Sequence, residues 1–333
     1  MARQRTIRWR SLALVVGAVL ALGLAGVLLT PRLALERAKD PGLGVRSLHA
    51  AGVTGAGVQV AIIDGQLRPE HVEYSDRLVH YEELDDFTGR PFDMHGPAMT
   101  SLLVGRSIGV APQAQLHYFA LDFARLTPER LEAAIDRVVA RNAALPAAER
   151  VRLVSVSIGY RGEERELLDA ALERALAAGV FVLASLYPVD HVTPTLAIRS
   201  LGCSPWRDCN DPSNFGPTPG EASFWEARGQ GVREALEQRA AHDRTNGHVT
   251  LYAPANRRTV AGARHARAYR FDVEGGDSQW APYLIGVLAL ALQVSPELEA
   301  DELASLLAAG ASERPHGVRL VDPARVVALA RGR

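Results

Sequence analysis

Three short segments carry the residue types that hydrolytic chemistry needs. Asp64 sits in Ala61-Ile62-Ile63-Asp64-Gly65, His95 in Asp93-Met94-His95-Gly96-Pro97, and Ser278 ends Gly275-Gly276-Asp277-Ser278. A serine hydroxyl alone is a weak nucleophile. It becomes effective when an imidazole takes its proton and a carboxylate holds that imidazole in the useful tautomer. A serine at a helix N-terminus also lies beside unpaired N–H groups and the positive end of the dipole, which can stabilise an oxyanion. Taken singly, each segment has an ordinary reading as a loop cap, a surface imidazole or a helix N-cap. The chemistry requires that all three converge.

The elements around them supply that convergence. Residues 58–63 (VQVAII) form a nearly continuous apolar run, as does 116–121, and both fit strands buried on two faces. Residues 151–158 (VRLVSVSI) and 180–183 read as two more strands. Thr127 and Pro128 stand at the cap and first-turn positions of a helix whose apolar residues Leu131, Ala134, Ile135, Val138 and Val139 recur at helical spacing. Residues 167–178 form a second amphipathic helix, ended by Gly179. Residues 98–104, 278–294 and 296–309 read as helices too. Strand–helix alternation predicts a mainly parallel sheet with helices on both faces, a three-layer α/β sandwich. In such sheets the C-terminal strand edge, where Asp64 lies, gathers catalytic groups. Regular patterning fails over 199–247, which reads as an irregular surface insertion with one polar helix near 224–242, and returns at 249–252.

The order Asp, His, Ser, with gaps of 31 and 183 residues, resembles that of the subtilase family of serine peptidases. TGAGVQVAIID over residues 54–64 looks like the family's segment around its aspartate. His95-Gly96 resembles the start of the histidine helix, with Thr100 and Ser101 where Ala-Gly is usual. Gly109-Val110-Ala111-Pro112 matches the turn that follows. Ser155 to Gly159 is similar to the strand that pairs with substrate, Tyr252-Ala253-Pro254 to the turn before the serine, and Gly276-Asp277-Ser278 with Pro282 and Gly286 to the serine helix. The resemblance implies a subtilisin-like domain over 53–333. Ser278 would be the nucleophile, His95 the base and Asp64 the orienting acid. Peptide would be added as a strand along Ser157, Ile158 and Gly159.

Four positions depart from the family pattern. By ungapped count, Pro188 falls where the family places the asparagine that donates to the oxyanion, and proline has no N–H to give. The Ser278 backbone amide remains a candidate donor, and Tyr187 and Asn214 are two more. Asp277 replaces a threonine and adds negative charge beside the nucleophile, while Gln279 and Trp280 stand where Met-Ala is common. These departures leave two readings open: a serine endopeptidase, and a pseudopeptidase that binds peptides or a protein partner in the same cleft.

Arg3, Arg5, Arg8 and Arg10 precede a run, 12–29, that is wholly apolar or glycine. A spanning helix needs about 20 such residues, and the flanking arginines favour a cytoplasmic N-terminus. The expectation is a single-pass anchor in the cell membrane over 1–30, a linker over 31–52 and an extracytoplasmic domain; cleavage of the segment would instead give a secreted protein. The linker is too short for the long inhibitory prosegment common in secreted subtilases.

Net charge is −1 over 333 residues, so no global field attracts nucleic acid. The two cysteines, Cys203 and Cys209, cannot make a four-ligand zinc site; outside the cytoplasm they are placed to form a short disulfide, and otherwise they are free thiols. No cofactor is required. The resemblance leaves room for structural calcium, but the acidic stretch 82–86 lacks a recognisable ligand spacing. His191, His242 and His248 show no metal spacing, and Arg207, Arg257 and Arg258 read as surface charges.

Overall fold

A computed structural model describes residues 30–157, 165–184, 196–245 and 249–333. Helix α1 covers residues 30–37, and α2 (Val45–Ala50) follows a bend at Pro41 to Gly44. Strands β1 (Gln59–Asp64) and β2 (Leu78–Glu83) lead to α3 (His95–Val104), β3 (Gln115–Ala120), α4 (Pro128–Ala143), β4 (Leu153–Val156), α5 (Arg165–Ala177) and β5 (Phe181–Ala184). These strands form one parallel sheet in the order β2-β3-β1-β4-β5.

The alternation along β1 explains the three layers. Val60 and Ile62 face one side, where they join Leu116 and Tyr118 of β3 and Leu103 and Val104 of α3. Ala61 and Ile63 face the other, against Leu131, Ile135 and Val138 of α4 and Leu168 and Leu172 of α5. All six residues of β1 are buried, because helices cover both faces. The start of α4 is built as its sequence predicts: the Thr127 hydroxyl accepts from the N–H of Arg130, and Pro128 occupies the first turn.

A second sheet has the order β11-β12-β8-β6-β7. Its strands are β6 (Leu196–Cys203), β7 (Phe215–Gly216), β8 (Val249–Asn256), β11 (Ser312–Glu313) and β12 (Arg319–Leu320). The hairpin β9 (Arg258–Ala261) and β10 (Tyr269–Asp272) stands apart from it. Helix α8 (Trp280–Val294) is buried from Trp280 through Leu292 and packs on β4 and β8, joining the two sheets. An all-apolar helix belongs inside a core, as this one does. Pro282 is harmless in its first turn, where an N–H has no helical partner anyway. The chain ends with α9 (Glu302–Gly310) and α10 (Pro323–Arg331).

Three stretches differ from the sequence expectation. Strand β6 runs into the segment read as an irregular insertion, and pairs with β8 from Leu196↔Val249 to Gly202↔Asn256. Arg199 and Ser200 interrupt its apolar pattern and hid it. The single polar helix is two, α6 (Pro219–Glu226) and α7 (Val232–Thr245), separated at Gly229, whose φ is 71°. The helix at 296–309 shortens to α9. Residues 31–52 are tied to the body: Ala38, Leu43 and Val45 are buried, and the Leu43 N–H donates to the Cys209 carbonyl at 2.8 Å.

Candidate active site

Asp64 ends β1 at the C-terminal edge of the first sheet and has no solvent exposure. Its Oδ1 accepts from the N–H of Gly65 at 2.7 Å and bonds His95 Nδ1 at 2.7 Å. Its Oδ2 is buried without a hydrogen-bond partner among the described residues, so its charge is directed at His95. His95 is the first residue of α3. Its N–H, which the helix leaves unpaired, donates to Asp93 Oδ1 at 3.2 Å. Gly96 lets α3 approach β1 this closely, since a Cβ there would lie 2.4 Å from Tyr118 Oη and 2.8 Å from the carbonyl of Gly65. Phe123 meets the imidazole edge-on at 5.3 Å. Burial pulls the imidazole pKa down, but the charge and hydrogen bond of Asp64, with Asp93 and Asp272 farther off, carry it above its ordinary value.

Ser101 explains one departure. It is buried one and a half turns along α3, where its Oγ donates to the Ala98 carbonyl and accepts from the N–H of Ala261 in β9. A hydroxyl here pins the histidine helix to the β9–β10 hairpin, a bond that glycine could not make. Glu73 fastens the far end: buried, it accepts from Ser107 Oγ and Tyr269 Oη, both at 2.6 Å.

Ser278 lies in a 3-10 turn, Asp277–Gln279, that leads directly into α8 and packs against α3. The approach to this turn demands glycine: Gly275 has φ 61°, and a Cβ there would lie 1.8 Å from the Ala255 carbonyl. Ser278 Oγ donates to the backbone carbonyl of Ser157 at 3.1 Å, and Ser157 Oγ donates to the carbonyl of Ser278 at 3.0 Å. Among the described residues, the serine makes no hydrogen bond to His95. Asp277 faces the second sheet, where its Oδ1 accepts from Ser200 Oγ at 2.6 Å. Gln279 is buried and donates to Asp272 Oδ2 at 2.7 Å, and Trp280 is buried in the core. Asp272, which shapes the electrostatics of His95 and fixes Gln279, carries no signal in the sequence.

The remaining candidates are distributed. Ile158, Gly159, Tyr187, Pro188, His191 and His248 lie outside the described residues. Asn214 belongs to a local loop: its Nδ2 donates to the Asp208 carbonyl at 2.9 Å and its Oδ1 accepts from Arg207 at 3.2 Å, so its polar groups serve that loop. Cys203 and Cys209 are joined, with Cα atoms 5.7 Å apart. Within the acidic stretch, Glu82 pairs with Arg137 and Asp85 with Arg130, and no cluster of three or more metal-ligating side chains occurs among the described residues. Arg258 is not a surface charge. It is 4% exposed, because it opens a strand packed against α3, with the Tyr283 ring of α8 beside its guanidinium.

Comparisons place this geometry. No family model matches the chain. A curated relative, the subtilisin-like protease PopC of Myxococcus xanthus (strain DK1622), is 23% identical over 307 residues that cover 84% of the chain. In sequence and in fold the chain is similar to subtilisin-like proteases. It spans 61% of the length of that relative. The fold agrees with solved structures: the prenylagaramide maturation protease PagA aligns at TM-score 0.58 and 17% identity, over 87% of this chain and 99% of PagA. A chain of the subtilase cytotoxin SubAB aligns at 0.63 and 15% identity, over 88% and 98%. At these identities the structures show the fold, which is the three-layer sandwich expected from the sequence.

Proposed function

We propose that this chain is a subtilisin-like serine endopeptidase that hydrolyses peptide bonds through Asp64, His95 and Ser278. The observation that carries the reading is the buried 2.7 Å bond between Asp64 and His95 Nδ1, which leaves Nε2 as the imidazole nitrogen free to act as base. Rotation of Ser278 Oγ off the Ser157 carbonyl frees it to give its proton to Nε2 and attack the scissile carbonyl. His95 then returns the proton to the leaving amine, and Asp64 stabilises the imidazolium in between. The Ser278 N–H, in the turn into α8, would serve as one oxyanion donor. Peptide would pair with the chain from Ser157 onward, where the backbone leaves β4.

The likeness to peptidases supports protein or peptide substrates. Membrane anchoring through residues 12–29 is part of the same proposal. That segment lies outside the described residues, among which no helix is long and apolar enough to cross a membrane. Carbonate extraction of the full chain tests it: an anchored chain stays in the pellet.

A fluorophosphonate probe tests the chemistry on the full chain in detergent. Labelling that disappears in Ser278→Ala supports the peptidase. A folded wild type that takes no label overturns it in favour of a peptide-binding pseudopeptidase, the reading favoured by the bond of Ser278 to Ser157 instead of His95.

A further inference from the structure

One buried cation has no acceptor among the described residues. Arg258 is 4% exposed, and its Nε, Nη1 and Nη2 all lack hydrogen-bond partners there. The Tyr283 ring lies 5.2 Å from the guanidinium carbon. A ring face attracts a cation but does not accept the in-plane N–H bonds, so those remain open. Asn256, two residues earlier and 1% exposed, also has both amide atoms unpartnered. Arg257 between them takes φ 52°, a left-handed conformation that ordinary residues adopt only at a cost.

Asn256 and Arg258 line one cavity of about 20 Å³, walled by Asp40 and by the Cys203–Cys209 disulfide. That volume suits one small body. Its lining carries three arginines against a single carboxylate, Asp40. Asp40 is engaged elsewhere: its Oδ1 accepts from the N–H of Gly42 at 2.9 Å and its Oδ2 from Asn210 at 3.5 Å. Burial brings the guanidinium pKa down to about 10, which still leaves it charged at neutral pH. Water alone would leave the charge unbalanced, and a buried charge without a counter-charge is strongly disfavoured.

We propose that this cavity is a site for one monatomic anion, chloride under ordinary conditions, held by the guanidinium of Arg258 and the amide of Asn256. The site bears on the nucleophile's turn. A Cβ on Gly275 would lie 2.6 Å from Asn256 Cα, and the N–H of Gly276 donates to the Ala255 carbonyl, so the residues seating the anion also seat the segment before Ser278.

The test compares the full chain in sodium chloride, bromide and gluconate at one ionic strength. The expected result is a melting temperature higher in chloride and bromide than in gluconate, saturating with halide concentration. Arg258→Met is expected to abolish the halide dependence. Asn256→Ala, which keeps the cation, is expected to raise the half-saturating concentration roughly tenfold through loss of one hydrogen bond to a charged partner. If Arg258→Met does not fold, a crystal soaked in bromide decides: an anomalous peak beside Arg258 supports the site. Melting that follows ionic strength regardless of anion, an empty cavity in bromide, or Asp40 turned to pair with Arg258 overturns it.

Discussion

Reducing the Cys203–Cys209 bond should cost a predictable amount of stability. The two residues are six apart in sequence, so the bond closes a small loop. Loop-closure entropy for a ring of that size gives about 2 kcal/mol. The loop also holds the 38–45 segment, through Leu43 N–H to the Cys209 carbonyl and Gly44 N–H to Asn210 Oδ1 at 2.9 Å. The perturbation is the double variant Cys203→Ser, Cys209→Ser, with reductant added to the wild type as a second arm. For a domain of this size, about 2 kcal/mol corresponds to a melting temperature lower by roughly 3 °C. Scanning fluorimetry reads the shift. Alkylation and mass measurement on protein from an oxidising compartment show whether the bond exists there. Melting of the variant within about 1 °C of the oxidised wild type would refute the claim that this loop clamps the N-terminal segment.

Three further outcomes follow. Because His95 has a raised pKa, probe labelling should begin only above the ordinary imidazole range; the pair's stabilisation is complete below pH 6.5 and is lost as pH rises through the folded-state value. In Asp64→Asn the burial remains without the charge, so the labelling profile should move to lower pH while its rate falls by roughly 10⁴; an unmoved profile contradicts the pairing. His117 is held neutral, donating from Nε2 to Gln59 Oε1 and accepting at Nδ1 from Arg141, with its pKa pushed down to about 4 chiefly by burial. The unfolded chain therefore binds the extra proton first, and stability should fall by about 3 kcal/mol as pH drops from 6.5 to 4, a loss that His117→Gln should remove in denaturant titrations. Gly96→Ala forces a methyl against Tyr118 Oη and two carbonyls, and should destabilise by about 1–3 kcal/mol and slow labelling by displacing His95; unchanged melting and labelling would show that α3 does not need this approach.

The parts of the fold that sequence discloses are those whose burial is uniform. β1 is buried on both faces and reads as an unbroken apolar run; α4 carries its cap and its apolar stripe in sequence. β6 escaped notice because Ala197, Ile198 and Arg199 are only half-buried and Arg199 and Ser200 break the apolar run, so neither alternation nor continuity shows. At the site, Asp64 and His95 are legible because each stands at the boundary of a strong element. Asp272 is not, since it acts across space on His95 from a short hairpin strand. Arg258 misleads for the opposite reason. A charged residue beside another arginine predicts a surface, and only the packing of β9 against α3, with Tyr283 of α8 alongside, makes it interior.

The helix that begins at Trp280 has a consequence for how the molecule comes into being. Asp64 and His95 belong to elements that pair early: β1 finds β3 about 56 residues on and β4 about 93 residues on. Ser278 arrives only with α8, whose buried face completes the core shared by both sheets, and β8 awaits β12 at Leu320. During synthesis from the N-terminus, Asp64 and His95 therefore precede Ser278 by most of the chain. Long-range pairings of this kind form slowly. On the proposed mechanism, a growing chain would hold its acid–imidazole pair well before it held the serine that completes the site.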